Sequence, residues 1–457
     1  MAFRDLRKSR KWLSADEIRI IVLLLILLSA LLAGNLYAAR IIPGGEWLYL
    51  RWSAVRTFLN QNREASQGAK YGRAMPEGAP VLLVTDVSLY STVIARQVQQ
   101  LVYGRNAFAN EYRYVLNDPF YIVLLYTPLV LFPDLVNWFA PMAQAGFYVP
   151  RAIWMFLSEI ALIFSVSFAF RLSEWEPPRG LYFLLIGFGL LNFFSLNALV
   201  TASPSIFLTI SYLGVLLALR SFSDELAGAL LFLVAYQWEV SAFFFIFMLI
   251  FVIANRRWNV LLGFGMSLIL LLFVSYLVNP GWGLPYFRAV LSNLAQGVNL
   301  NLGHILSNWI PDSRIPLASA IFVLVIAVLL VEAIASVNAP FRRVVWTAAL
   351  ALSATPFLGL AMFPSNYVVL LLPFILILAL VWERWHRWRA LRIALIFLAT
   401  LVVPFGLYLQ TVYVYTPFYT DLLTVLPPVA AVLGLYWMRW WVLHSPRTWA
   451  DQRGFRR

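Results

Sequence analysis

The chain has 457 residues, 62% hydrophobic and 12% charged, with a net charge of +13 and no cysteine. No water-soluble domain hides that much apolar surface, so the composition specifies a polytopic membrane protein and excludes a soluble enzyme. The missing cysteines exclude disulfides, thiolate metal sites and cysteine nucleophiles.

Arg4, Arg7, Lys8, Arg10 and Lys11 form a basic N-terminal tail, residues 1–17, ahead of an apolar run at 18–37. That run matches the ~20 residues that cross a hydrocarbon core. It is too long for a cleaved signal peptide and lacks a small-residue cleavage site, so a retained anchor is expected. Stretches such as Ile20–Leu32 do not alternate. Helices rather than a β-barrel are therefore predicted, because backbone groups in lipid must pair within their own segment.

A long outer loop follows, residues 38–118. Trp47-Leu48-Tyr49-Leu50-Arg51-Trp52, continued by Val55, Phe58 and Leu59, places apolar residues largely on one helical face, with Arg51, Arg56 and Arg63 among the polar positions. This predicts an interfacial helix lying on the bilayer. Residues 62–79 are polar and carry Gly and Pro, as loops do. A second amphipathic stretch, 88–103, sets Leu89, Val93, Val98, Leu101 and Val102 against Arg96, Gln97, Gln99 and Gln100. Asp86 stands just ahead of it. A carboxylate here can take the proton of an acceptor hydroxyl as a general base, or it can simply cap the helix that follows. Asp118, before Pro119 at the next apolar run, offers the same two readings: a helix cap, or a second acid facing a metal or phosphate.

Further apolar runs lie near 119–137, 150–171, 180–199, 203–220, 226–254 and 258–278. The 226–254 run is read as one long tilted helix, because splitting it at Gln237-Trp238-Glu239 would break the topology. Glu159 and Glu239 fall near the middle of their runs, where a charge costs ~2.5–3.5 kcal/mol or more. Each is either functional, which would suit proton-coupled transport, or satisfied by neighbours such as Ser158 and Gln237.

A second outer loop, 279–316, holds Arg288, His304, Asp312 and Arg314. Its arginines suit phosphate recognition, or contact solvent and lipid headgroups. Trp282, Tyr286 and Trp309 in that loop are candidates for stacking on a sugar. Runs at 317–337, 344–360, 367–382, 391–408 and 422–438 complete twelve expected spans, and a basic tail covers 439–457. Basic clusters at Arg256-Arg257, Arg342-Arg343, Arg384–Arg392 and Arg439–Arg457 then share one side with the N-terminal tail. This is the positive-inside pattern, with both termini cytoplasmic, and it accounts for the charge without nucleic-acid binding. A prokaryotic plasma membrane is the expected setting. No Gly-rich phosphate loop, metalloprotease motif or internal repeat is visible.

Several short motifs together resemble the GT-C superfamily of membrane glycosyltransferases, most closely its polyprenyl-phosphate-mannose-dependent branch. They read Asp86…Tyr90, Gly104, Pro119-Phe120-Tyr121, Pro128-Leu129…Pro133, Asp224-Glu225-Leu226-Ala227-Gly228 and Pro364-Ser365-Asn366-Tyr367. The resemblance implies an all-α fold of about twelve spans, with 18–278 as the GT-C-like module and 317–438 as C-terminal helices. It implies inverting transfer of a hexose, such as mannose, from a polyprenyl-phosphate sugar to a glycan, lipid or protein acceptor at the outer face. Asp86 would be the base, with Tyr90, Asp118, Tyr121, Arg288, His304 and Arg314 around the substrates. No metal ligand is assigned, although a divalent ion is left open. The chain differs from the family at Ile122-Val123, Ser203-Pro204-Ser205 and Gln237 or Glu239. Those differences keep two alternatives in view: a non-catalytic subunit of a membrane complex, and a lipid or solute transporter using Glu159 and Glu239.

Overall fold

The computed structural model describes residues 15–70, 118–139, 146–295, 302–310, 314–358, 363–384, 388–414 and 417–443. Every regular element among them is helical. The first five helices are α1 (Ala15–Ile41), α2 (Glu46–Lys70), α3 (Phe120–Leu125), α4 (Thr127–Phe139) and α5 (Tyr148–Ser173). Next come α6 (Arg179–Leu191), α7 (Phe193–Val200), α8 (Ser205–Arg220), α9 (Asp224–Ala235), α10 (Trp238–Ala254) and α11 (Trp258–Val278). Two short helices, α12 (Gly283–Ala295) and α13 (Leu302–Trp309), fall in the second expected outer loop. After them stand α14 (Arg314–Ser336), α15 (Phe341–Ala354), two 3-10 turns at Thr355–Leu358 and Pro364–Leu370, α16 (Leu371–Arg384), α17 (Arg389–Val414) and α18 (Pro417–Leu443).

Eight helices among the described residues are long and apolar enough to cross a membrane, or nine if α6 and α7 form one bent span. The protein is therefore compatible with a multi-pass integral membrane protein. Twelve full-length spans were expected. The difference lies in the runs at 180–199, 203–220, 226–254 and 344–360, which the chain builds from shorter or broken helices.

The run read as one helix over 226–254 is two. Asp224, at the start of α9, pairs with Arg257 just after α10 (Nη2 to Oδ1, 2.6 Å), and Arg257 also donates to Leu219 O at 2.9 Å. The two helices therefore leave and return to the same end of the bundle. Their junction is Tyr236-Gln237, where Gln237 O accepts from Val240 N and Ser241 N at 3.1 Å and from Ser241 Oγ at 2.9 Å. A backbone break at this depth is tolerated only when its freed groups are satisfied by protein.

Two glycines let α9 pack backbone to backbone on α11. A Cβ on Gly228 would lie 2.0 Å from Val260 O and 2.6 Å from Phe264 N, and one on Gly263 would lie 2.2 Å from Glu225 O. Small residues at such crossings are how membrane helices gain packing without a hydrophobic drive. Gly228→Ala is expected to lower stability by ~1–3 kcal/mol, because backbone must yield on the opposing helix. Thermal unfolding in nanodiscs checks this; an unchanged midpoint would mean that the two helices do not touch there.

The bend of 46° between α6 and α7 also has a local cause. Asn192 donates to Phe188 O and Gly189 O on one side and accepts from Ser195 N on the other. It thereby satisfies groups on both sides of the break.

One end of the bundle is an arginine belt. Arg220 holds Arg171 O and Glu174, Trp175 meets Trp382 at 6.3 Å, and Arg342 pairs with Glu383 at 2.9 Å. Glu332, 2% exposed, accepts from Arg343 at 3.3 Å and Arg439 at 2.7 Å, and so ties α14, α15 and α18 together. A carboxylate this deep is sustained by two cations rather than one.

Candidate functional site

The opposite end is organised by a different pair of charges. The first half of α2 is not a surface helix. Leu48, Leu50, Arg51, Trp52, Ser53, Ala54 and Val55 are all buried, and Arg56 is exposed. The expectation of a helix lying flat on the bilayer with Arg51 on its polar face is thus corrected. Periodicity scores an arginine as polar, whereas here Asp118 neutralises it inside the bundle. Arg51 Nη2 donates to Asp118 Oδ1 at 3.0 Å, Nε lies 2.5 Å from Oδ2, and Nη1 donates to Trp47 O at 2.9 Å. One charge-assisted hydrogen bond and one close ion contact thus join the two side chains. Burial alone would push the Arg51 guanidinium down, but the Asp118 carboxylate more than offsets this and holds it above the usual arginine range.

Aromatic rings enclose the pair. The Arg51 guanidinium lies 5.6 Å from the Tyr126 ring and 5.9 Å from Trp47, within cation–π range. Tyr126 stacks on Trp154 at 5.2 Å. Trp282 faces Phe120 at 6.4 Å, Tyr121 at 6.2 Å and Tyr286 at 5.6 Å. Tyr121 and Tyr286 are only partly buried and form the open edge of this floor. Burial first, and Asp118 second, push the Tyr286 hydroxyl up, so it stays a neutral donor. Tyr236 ends α9, which at 12 residues rises only ~18 Å from the arginine belt.

The chain reaches α2 through Ile42–Gly45, and Arg151 of α5 shapes that passage. Its guanidinium donates to Ile42 O at 2.5 Å, Val200 O at 2.9 Å and Ala39 O at 3.4 Å. Gly45 N donates to Val200 O at 2.8 Å and Trp47 N to Thr201 O at 3.2 Å. Gly44 and Gly45 have φ of +145° and +89°, which residues with a Cβ rarely adopt. A Cβ on Gly44 would also strike Val200 O at 2.4 Å.

No protein-family model, curated protein or solved structure matches the chain. Its site must be judged on its own residues.

Of the sequence candidates, the structure brings Asp118 and Tyr121 together with Trp282 and Tyr286. Arg288 is exposed on α12. Asp86, Tyr90, Gly104 and Asp312 lie outside the described residues, as do the 62–79 loop beyond Lys70 and the helix expected over 88–103. His304 falls on α13 and Arg314 opens α14, but their side chains also lie outside what is described.

Glu159 and Glu239 face different neighbours. Glu159 Oε2 accepts from Asn35 on α1 at 2.7 Å. Glu239 lines a cavity of about 10 Å³ with Thr355, Asn366 and Tyr367. Three residues were missed in the sequence: Arg51 as a buried charge, Arg151, and Asp421. Asp421 is 3% exposed and accepts from Asn308 of α13 at 3.1 Å. An aspartate among Thr420, Leu422 and Leu423 at a span start was the available signal. Among the described residues no three His, Asp or Glu side chains are grouped to hold a metal ion.

Proposed function

We propose that this protein is a GT-C-type inverting glycosyltransferase. It moves a hexose, such as mannose, from a polyprenyl-phosphate sugar to an acceptor at the outer membrane face. One observation carries the reading. The Arg51–Asp118 pair anchors the end of segment 71–117, which contains Asp86 and Tyr90, beside a cluster of tyrosines and tryptophans. Such a cluster offers flat apolar faces with hydroxyl and indole donors, the surface that sugar rings require.

In this reading Asp86 takes the proton of the acceptor hydroxyl. That oxygen attacks the anomeric carbon opposite the phosphate, the bond from carbon to phosphate oxygen breaks, and the lipid phosphate leaves with its electron pair. The exposed Arg288 stands at the edge where the phosphate charge would be met.

The orientation follows the charges. The arginine belt is assigned to the cytoplasm and the aromatic floor to the outside. On that assignment we propose twelve passes, some of them made by helices shorter than a full span. The split of α9 from α10 adds one pass. The α3–α4 segment, one of the eight helices long and apolar enough to cross, is read as returning to its own side, since it starts beside Trp282 and the chain resumes at Phe147 beside Tyr49 and Trp52. Both termini fall in the cytoplasm.

The test is sugar transfer by purified protein in nanodiscs from radiolabelled polyprenyl-phosphate sugars. Asp86→Asn is expected to lower transfer by about 100-fold or more, the usual size of a lost general base. Full activity in Asp86→Asn sinks the assignment of the base.

A second reading, a non-catalytic subunit of a membrane complex, is favoured by one feature: Asp118 is committed to Arg51 rather than offered to a substrate. Wild-type protein inactive with every donor would support it. Transport through Glu159 and Glu239 has no such support, because the two carboxylates face separate interfaces.

A further inference from the structure

A cavity of about 420 Å³ lies between α6, α7, the Pro364–Leu370 turn, α16, α17 and α18. Its wall runs along residues 367–377, 396–404 and 426–437, within three expected spans. Val403, Leu426 and Trp437 on that wall are exposed, so the cavity opens sideways, toward lipid.

Prolines shape it. Pro404 of α17 and Pro427 of α18 line the space, and Pro428 follows. A proline within a helix frees the carbonyl four residues earlier. For Pro428 that carbonyl is Thr424 O, and the Tyr367 hydroxyl donates to it at 2.6 Å. The other polar side chains on the wall are also turned to backbone. Thr400 donates to Ile396 O at 2.8 Å, and Asn192 is held by Phe188 O, Gly189 O and Ser195. Asn192, Tyr367 and Thr400 thus have their hydrogen bonds met inside the protein.

We propose that this cavity is a binding site for the acyl chain of a bilayer phospholipid. Its almost wholly apolar lining offers a charged headgroup no partner, and an apolar cavity does not hold water stably. An unfilled space would forfeit the contacts of its lining atoms, while hydrocarbon chains stand at its open side. With its polar groups already satisfied, the wall discriminates by shape alone. The most abundant chain in the membrane then occupies it by mass action. This site does not depend on the transferase reading.

Photolabelling tests it. The full chain is placed in phosphatidylcholine nanodiscs doped with phosphatidylcholine bearing a diazirine at the end of one acyl chain, and labelled peptides are mapped by mass spectrometry. Labelling of 396–404 and 426–437 is expected to exceed several-fold that of the lipid-facing stretch Ile269–Leu277 on α11. Ala399→Phe with Ala430→Phe fills the cavity and should reduce labelling to the level of that stretch. Ala320→Phe, on α14 away from the cavity, should leave it unchanged. Equal labelling of cavity and α11 overturns the proposal, as does enrichment that survives the filled variant. Displacement of the label by a trace of polyprenyl phosphate overturns the choice of an acyl chain.

Discussion

Asp118→Ala is expected to destabilise the protein by about 3–5 kcal/mol, because it leaves the Arg51 charge buried without its partner. Arg51 is 4% exposed and Asp118 5%, so water cannot replace either side chain. The loss reflects the stranded charge more than the worth of the pair. Replacing both by apolar residues of similar size, Arg51→Met with Asp118→Leu, should therefore cost far less than the two single changes added together. Unfolding followed by tryptophan fluorescence in nanodiscs reads this directly, since Trp47, Trp52 and Trp282 surround the pair. Strict additivity would mean that the ions are not coupled. Asp118→Asn separates structure from chemistry. A positioning role predicts loss of stability together with loss of transfer, whereas a reacting acid predicts inactive protein of normal stability.

Arg151→Leu is the second large effect, about 3–5 kcal/mol. It removes the donors to Ile42 O and Val200 O and the longer contact to Ala39 O. Val200 O keeps its bond from Gly45 N, whereas Ile42 O and Ala39 O lose the Arg151 donor, at about 1–3 kcal/mol for each acceptor left unpaired. Glu46, close enough to interact with Arg151 electrostatically, also loses its countercharge. Because the affected carbonyls lie on the passage into α2, amide exchange over 42–55 should rise in this variant while α14 to α16 stay protected. Arg151→Lys keeps a single donor group and should recover part of the loss. Exchange that rises uniformly across the chain would show that Arg151 supports the whole bundle instead.

Much of the fold could be read from the residues. The runs that became α1, α5, α11, α14, α17 and α18 are long and apolar, and their limits fall within six residues of those expected. The possible break in the 226–254 run at Gln237-Trp238-Glu239 is visible in the residues, but a split there upsets the alternation of basic clusters, and it carries neither proline nor glycine to insist on it. Tyr236-Gln237 turns the chain through backbone satisfaction supplied by its own next turn, and hydropathy does not register that.

The site was legible in part. Asp118 and Tyr121 stood out because a carboxylate before proline at a span start is conspicuous. Arg51 did not, because its burial depends on a partner 67 residues away. Arg151 was hidden for the same reason: its acceptors are main-chain oxygens, which leave no trace in the identity of the residues that carry them.

The grip of Arg151 and Val200 on residues 42–47 also sets a timetable for biosynthesis. When α1 and α2 leave the ribosome, the groups that will hold the passage between them have not been made. Val200 follows Ile42 by 158 residues, so at 5–20 residues per second the wait is on the order of ten to thirty seconds. Through that interval the buried arginine of α2 has neither Asp118 nor a docking surface for part of the time. A nascent chain stalled before Val200 should thus present α2 as a chaperone client, and the completed chain, with Trp282, Phe363 and Leu423 in place, should not.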